Sequence, residues 1–357
     1  MRPRLLAAPD SFKGTAGALE AAEAIARGAR LEGWEARLCP LSDGGEGFAE
    51  VLAGRSSTRI YQRVSGPDGT PVEAFWVRSG DTAIADCASA SGLVLAGGPE
   101  RNDPIGASSR GTGELVVAAI GAGVRRVLLG LGGSASTDGG LGALRAIEDG
   151  GGLRGTELLV ACDVTTRFSD AARVFAPQKG ADRAQVRLLE SRLRELACHY
   201  RSRYGMDLDA IEGSGAAGGL AGGLACIGAR LLPGFDLVAD TLDLDGLMDE
   251  VDLVVTGEGT LDATSWDGKV VGGVLSRAAS RGTPVLVLAG QLRGQPTQTQ
   301  PTQTQPGPPD TDGARGLSVV ELTGAFGEAR ALNDTAYCIE QATRDFLRSY
   351  SPGTREA

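Results

Sequence analysis

Again and again along this chain, a short apolar run ends abruptly in a loop of Gly, Asp and Ser and then gives way to a helical pattern. Residues 5–8 run into Asp10-Ser-Phe-Lys-Gly, 36–38 into Ser42-Asp-Gly-Gly-Glu-Gly, and 126–131 into Gly132-Gly-Ser-Ala-Ser-Thr-Asp-Gly-Gly. Residues 158–162 run into Asp163-Val-Thr, 251–255 into Thr256-Gly-Glu-Gly and 285–288 into Ala289-Gly-Gln, and 317–322 is a further strand candidate. This rhythm predicts βα units and a mainly parallel sheet. It is broken once, where Gly66-Pro-Asp-Gly separates Val64 from the alternating residues 72–77 and predicts a turn between antiparallel strands. A chain of 357 residues outgrows one hydrophobic core, so the break marks a second domain. The expected fold class is α/β with two domains. Residues 1–60 and 245–357 would build a flavodoxin-like, doubly wound parallel sheet from both chain ends, and residues 61–244 an inserted mixed α/β domain. Ligands of such sheets lie beyond the carboxyl ends of the strands, which makes a cleft between the domains the expected site. In the first helix, Thr15 is the expected N-cap, with Leu19, Ala22, Ile25 and Ala29 on one stripe.

A formal net charge of −10 argues against nucleic acid or an anionic membrane as partner, since both need a basic face. The apolar stretch within residues 1–10 is far too short for a signal-peptide core and no later run approaches a membrane span, so a cytoplasmic protein is expected. The six cysteines form no CxxC pair and no metal-ligand spacing, and are expected as reduced thiols. His199 is the single histidine and lies in a charged helical stretch, so carboxylates must carry any proton transfer. Residues 295–313, with two Pro-Thr-Gln-Thr-Gln units, read as a low-complexity surface loop without chemistry.

Lysine usage is the sharpest chemical signal. Of 35 Lys plus Arg, only Lys13, Lys179 and Lys269 are lysine, and each sits beside a glycine in a loop motif. A compact ammonium where arginine is otherwise the rule suits a point charge on a phosphate. The loop 132–140 suits phosphate as well, because glycines let backbone N–H groups approach an anion and the following helix adds its dipole. Gly213-Ser-Gly-Ala-Ala-Gly has dinucleotide-fingerprint spacing but no strand before it, and is expected to open a Gly/Ala-rich helix over 216–232. No P-loop motif is present. Asp10, Asp43, Glu46, Asp163, Glu258 and Asp262 all follow strand candidates, more carboxylates than turns require. Phosphoryl transfer uses such groups to hold Mg²⁺ and to accept a hydroxyl proton.

At these residues the sequence resembles the bacterial glycerate kinase family of the first type. The likeness runs from Ala8-Pro-Asp-Ser-Phe-Lys-Gly through Ser42-Asp-Gly-Gly-Glu-Gly, Gly66-Pro-Asp-Gly, Ser109-Arg-Gly-Thr-Gly-Glu and Gly132-Gly-Ser-Ala-Ser-Thr-Asp-Gly-Gly. It continues through Cys162-Asp-Val-Thr, Ala176-Pro-Gln-Lys-Gly-Ala, Gly213-Ser-Gly-Ala-Ala-Gly-Gly and Thr256-Gly-Glu-Gly-Thr-Leu-Asp to Asp267-Gly-Lys. The resemblance implies two α/β domains and phosphorylation of D-glycerate with ATP and Mg²⁺, the 2-phosphoglycerate being favoured. Three features depart from the family pattern: a short connection over 141–160, Thr260 where a basic residue is usual, and Asp163-Val-Thr-Thr. They put the geometry beside Asp163 in question.

Both readings together assign Lys13, Asp163 and Lys179 to catalysis, with Asp163 the proton acceptor. Asp10, Ser11, Asp43, Gly44, Glu46 and Arg110 would bind substrate, Arg110 by pairing with its carboxylate. Gly132, Gly133, Ser134, Ser136, Thr137, Asp138, Gly215, Gly257 and Lys269 would hold phosphate or nucleotide, and Glu258 and Asp262 the metal. The expected partners are glycerate and ATP, and a homodimer is compatible with the sequence. A kinase for another small hydroxy acid, a catalytically silent nucleotide-binding relative and, least supported, a nicotinamide oxidoreductase stay open as alternatives.

Overall fold

The computed structural model describes residues 2–12, 14–45, 47–54, 57–266, 269–293 and 316–350. Lys13, Glu46 and the low-complexity stretch 295–313 lie outside the described residues. The strands, in chain order, are β1 (Arg4–Ala7), β2 (Glu35–Leu38), β3 (Thr58–Ser65), β4 (Pro71–Ser79), β5 (Thr82–Asp86) and β6 (Arg126–Gly130). There follow β7 (Glu157–Ala161), β8 (Arg230–Leu232), β9 (Leu253–Leu261), β10 (Val285–Leu292) and β11 (Leu317–Glu321).

Contacts divide the chain into two compact units, residues 1–42 with 238–357, and residues 43–237. The first division falls before the predicted antiparallel turn, for a packing reason. The helix Phe48–Leu52 belongs with the second unit, where Phe48 lies against Gly130 at the end of β6 and the Ala49 N–H faces the Asp86 carboxylate.

The first unit carries a five-stranded sheet in the order β11-β10-β9-β1-β2, every pair parallel. Numbered within this sheet, the order is that of a flavodoxin-like doubly wound fold, with its switch point between β1 and β9. Leu5, Leu6, Val254, Val255, Leu286 and Leu288 are buried, the continuous apolar runs a sheet covered on both faces requires. Ala22, Ile25 and Ala29 of the helix Ala18–Leu31 are buried, but Leu19 is half exposed and outside the stripe. The helix N-cap is Gly17 rather than Thr15, whose hydroxyl donates instead to the Phe12 carbonyl within the preceding turn. Gly28 lets this helix meet Thr335–Ser349, since a Cβ there would come within 2.6 Å of the Glu340 carbonyl.

The second unit carries a six-stranded sheet in the order β3-β4-β5-β6-β7-β8. The β3/β4 and β4/β5 pairs are antiparallel and the rest parallel, so this unit is mixed α/β. The predicted turn joins β3 to β4, closed by bonds from Gly66 N–H to Thr70 O and from Gly69 N–H to Gly66 O. The short connection over 141–160 resolves into the helix Leu141–Asp149 and a tight turn with Gly151, Gly152, Arg154 and Gly155 all at positive φ. That turn enters β7 at its amino end. Asp163 follows the carboxyl end, a strand length of roughly 15–20 Å away, so the shortening does not reach it.

Candidate active site

Loops at the carboxyl ends of β6 and β7 are the frame of a cavity of about 430 Å³ within the second unit. Its wall takes Asp43, Gly44 and Gly45 from one loop, Gly132, Gly133 and Ser134 after β6, and Cys162, Asp163 and Val164 after β7. Gln178, Lys179, Ala216 and Ala217 complete its polar and backbone side, and Leu93, Leu131 and Phe175 its apolar side.

Lys179 is almost fully buried, 3% exposed, in the short 3-10 turn Pro177–Lys179. Its ammonium donates to Ser134 Oγ at 2.8 Å and to the Ser136 carbonyl at 2.5 Å. Burial pulls its pKa down to about 8, against the opposing fields of Cys87 and Asp138. Gly180 follows at φ 95, and a Cβ there would sit 2.0 Å from the Pro99 carbonyl, so the turn that presents Lys179 admits only glycine at that position.

Asp163 has the complementary perturbation. Burial raises its carboxyl to about 7; N–H groups of Gly234 and Phe235 oppose the rise, and the charges of Asp43 and Asp236 add to it. Oδ1 accepts from Gly234 N–H at 2.7 Å, whereas Oδ2 is buried without a hydrogen-bond partner among the described residues. A carboxyl in the cavity wall with a pKa near neutrality can accept a proton from a bound hydroxyl.

Backbone N–H groups supply the remaining positive potential. Those of Gly133, Ser134, Ala217 and Gly218 have no acceptor among the described residues. Ala217, Gly218 and Gly219 are consecutively left-handed, at φ 53, 69 and 89, so what the fingerprint-like motif opens is a kinked turn before the helix proper, and Ala216–Ala225 ends well short of 232. For alanine that conformation costs roughly 1 kcal/mol. The turn packs directly on the Lys179 loop: a Cβ on Gly218 would lie 2.3 Å from Ser136 O and 3.1 Å from Lys179 Nζ. Successive N–H groups beside an ammonium make a concavity for an anion.

Several predicted site residues have other tasks. Arg110 opens the helix Arg110–Gly121, pairs with Glu114 at 2.8 Å and is not part of the cavity wall. Asp138 spends its carboxylate on Ser109 N–H and hydroxyl and on the N–H groups of Gly140 and Gly142, tying the loop to the starts of two helices. A carboxylate so engaged is no phosphate ligand. Ser136 and Thr137 are buried outside the cavity wall, their hydroxyls without a partner among the described residues. Gly215 is required by close approach to the Arg167 carbonyl, and Gly257 by the Leu288 carbonyl of β10.

In the first unit, Asp10 and Gly257 meet at the switch point through a bond from Asp10 N–H to Gly257 O, and Ser11 N–H donates to Asp10 Oδ1. Lys269 is the N-cap of Val270–Ala279. Glu258 lies inside β9 and Asp262 just beyond its end. Among the described residues no cluster of three or more His, Cys, Asp or Glu could hold a metal. Thr260, the departure from the expected basic residue, accepts from the Gln291 side chain of β10.

The glycerate kinase family model matches residues 5–149 and 151–307. The chain belongs to the glycerate kinase family. It is 38% identical over 326 residues to a glycerate kinase of Bacillus subtilis, covering 81% of this chain and 85% of that one. It is 36% identical to the glycerate 2-kinase of Escherichia coli K12 over the same shares of the two chains. A solved chain from Salmonella typhimurium LT2, provisionally named glycerate kinase 2, superposes with a TM-score of 0.80 at 32% identity over 98% of both chains. Membership of the glycerate kinase family makes the protein an enzyme of kinase class, for which ATP is the phosphate donor. Among the described residues no helix is long and apolar enough to cross a membrane.

Proposed function

We propose that the protein phosphorylates D-glycerate at its 2-hydroxyl, with Asp163 as proton acceptor and Lys179 as the cation on the transferring phosphate. The observation that carries this reading is that one cavity wall holds a carboxyl raised to about 7 and an ammonium lowered to about 8. Each is matched to its task at neutral pH. The glycerate hydroxyl loses its proton to the Asp163 carboxylate while its oxygen forms a bond to the γ-phosphorus. The bond between that phosphorus and the β–γ bridging oxygen breaks, and ADP leaves with the electron pair. Charge on the transferring group meets Lys179 Nζ and the N–H groups of Gly133, Ser134 and Ala217, an arrangement fixed before the reaction begins.

Mg²⁺, when bound, neutralises charge on phosphate oxygens. One or two carboxylates commonly help to hold it, and Glu258 and Asp262, at the end of β9, would be those carboxylates. The 2-position follows the E. coli relative, a glycerate 2-kinase. Six free cysteines support placement in the reducing cytoplasm.

The test is ADP release from ATP, Mg²⁺ and D-glycerate, with phosphorus NMR of the product. A resonance from 2-phosphoglycerate is expected. The 3-isomer would overturn the regiochemistry, and turnover of another hydroxy acid in place of glycerate would overturn the substrate.

A further inference from the structure

Lys179 hangs between two backbone segments distant in sequence, and one side chain grips both. The Asn102 amide nitrogen donates to the Lys179 carbonyl at 2.9 Å and to the Ala135 carbonyl at 3.2 Å. Ala135 lies between Ser134 and Ser136, the two residues that accept from the Lys179 ammonium. Asn102 therefore fixes the root of the lysine and the cradle of its head together.

The loop that carries Asn102 is itself constrained. Gly97 and Gly98 are both at φ 84, and the Asn102 N–H returns to the Gly98 carbonyl at 3.0 Å. The same loop brings the Pro99 carbonyl against Gly180, directly after the lysine. Asn102 is not part of the cavity wall.

We infer that Asn102 is a positioning residue for phosphoryl transfer, holding the Lys179 ammonium on Ser134 and Ser136. The inference rests on the reading of Lys179 as the cation on the phosphate. The chemistry requires two N–H donors on one planar group between two carbonyl oxygens. Aspartate has the same shape but would set an oxygen against both carbonyls, and serine has a single donor. Leaving two carbonyls without their donor loosens the loops against each other, and a displacement of about 1 Å at the reacting centre can cost roughly 100-fold in rate.

Because the chain contains only three lysines, selective ¹⁵N-lysine labelling gives a spectrum in which Lys179 can be assigned from its loss in Lys179→Arg. In Asn102→Asp and Asn102→Ala, proton exchange from the Lys179 ammonium should accelerate at least about tenfold. kcat should fall roughly 10–100-fold while KM for glycerate moves by less than about twofold. The isosteric aspartate variant serves if the alanine variant does not fold. Wild-type exchange at Lys179 in a folded Asn102 variant would overturn the inference, whatever happens to the rate. Faster exchange with kcat unchanged, together with a fully active Lys179→Arg, would instead refute the phosphate role of Lys179 itself.

Discussion

Replacing Asp163 by Asn should make this enzyme more stable and nearly inactive, and the size of the first effect follows from the carboxyl's environment. Its pKa is raised from 3.8 to about 7, chiefly by burial. Between these values the folded chain holds a proton that the unfolded chain has released. Stability therefore falls as pH rises through that window, and the deficit is complete above pH 7. That rise corresponds to about 4 kcal/mol, an upper limit because Asp163 is only partly buried. Asparagine keeps an acceptor for the Gly234 N–H and carries no charge to desolvate. At pH 8 the variant should thus gain up to about 4 kcal/mol, or up to roughly 8–16 °C in Tm at about 2–4 °C per kcal/mol, with little change at pH 4. Thermal melts of both proteins from pH 4 to 8 measure this, and kcat should drop by about two to four orders of magnitude for loss of the proton acceptor. An Asp163→Asn protein that melts at or below wild type at pH 8 would show that the carboxylate is not held against its solvation preference.

Wild-type kcat/KM should be bell-shaped, falling about tenfold per unit below pH 7 as Asp163 gains its proton and again above pH 8 as Lys179 loses its own; a rate flat from pH 6 to 9 would contradict both roles. Lys179→Ala should cost about three orders of magnitude in kcat in the same ADP-release assay. Gly218→Ala should lower kcat by at least about tenfold and destabilise the fold by more than about 2 kcal/mol in denaturant titration, because its Cβ has no room beside the Ser136 carbonyl. Arg110→Ala should leave KM for glycerate within about twofold and cost no more than about 0.5 kcal/mol, since its partner is Glu114 on the next turn; a large rise in KM would return it to the site.

The strands of the βα units are legible because a buried strand that ends in a glycine-rich loop leaves a local mark, and each such run, from residues 5–8 to 317–322, corresponds to a strand, whereas β5 and β8 carry no such mark. The lysine at 179 and the acid at 163, which line one cavity, stand out in sequence for a similar reason: an ammonium in an arginine-writing chain, and a carboxylate directly after an apolar run. What escaped was information carried by tertiary contact. Asp138 looks like any acid in a phosphate loop until its lone pairs are traced to Ser109, Gly140 and Gly142. Arg110 gives no sign in sequence that its fork turns to Glu114. Asn102 has no motif value at all, being defined by two carbonyls 33 and 77 residues away. The left-handed turn at Ala217 hid inside a Gly/Ala run that reads as helix, because helical propensity says nothing of a backbone forced against Ser136.

Because the flavodoxin-like sheet is stitched from both chain ends, the order of synthesis separates the two units in time. Residues 4–38 leave the ribosome carrying β1 and β2, while β9, on the other flank of β1, is more than two hundred residues from being made. The second unit is a single uninterrupted stretch, 43–237, and can close its core while the amino-terminal strands still wait. The apolar strand β1, with one edge open throughout that interval, is the segment most exposed to mispairing, and the one a chaperone would have most reason to cover.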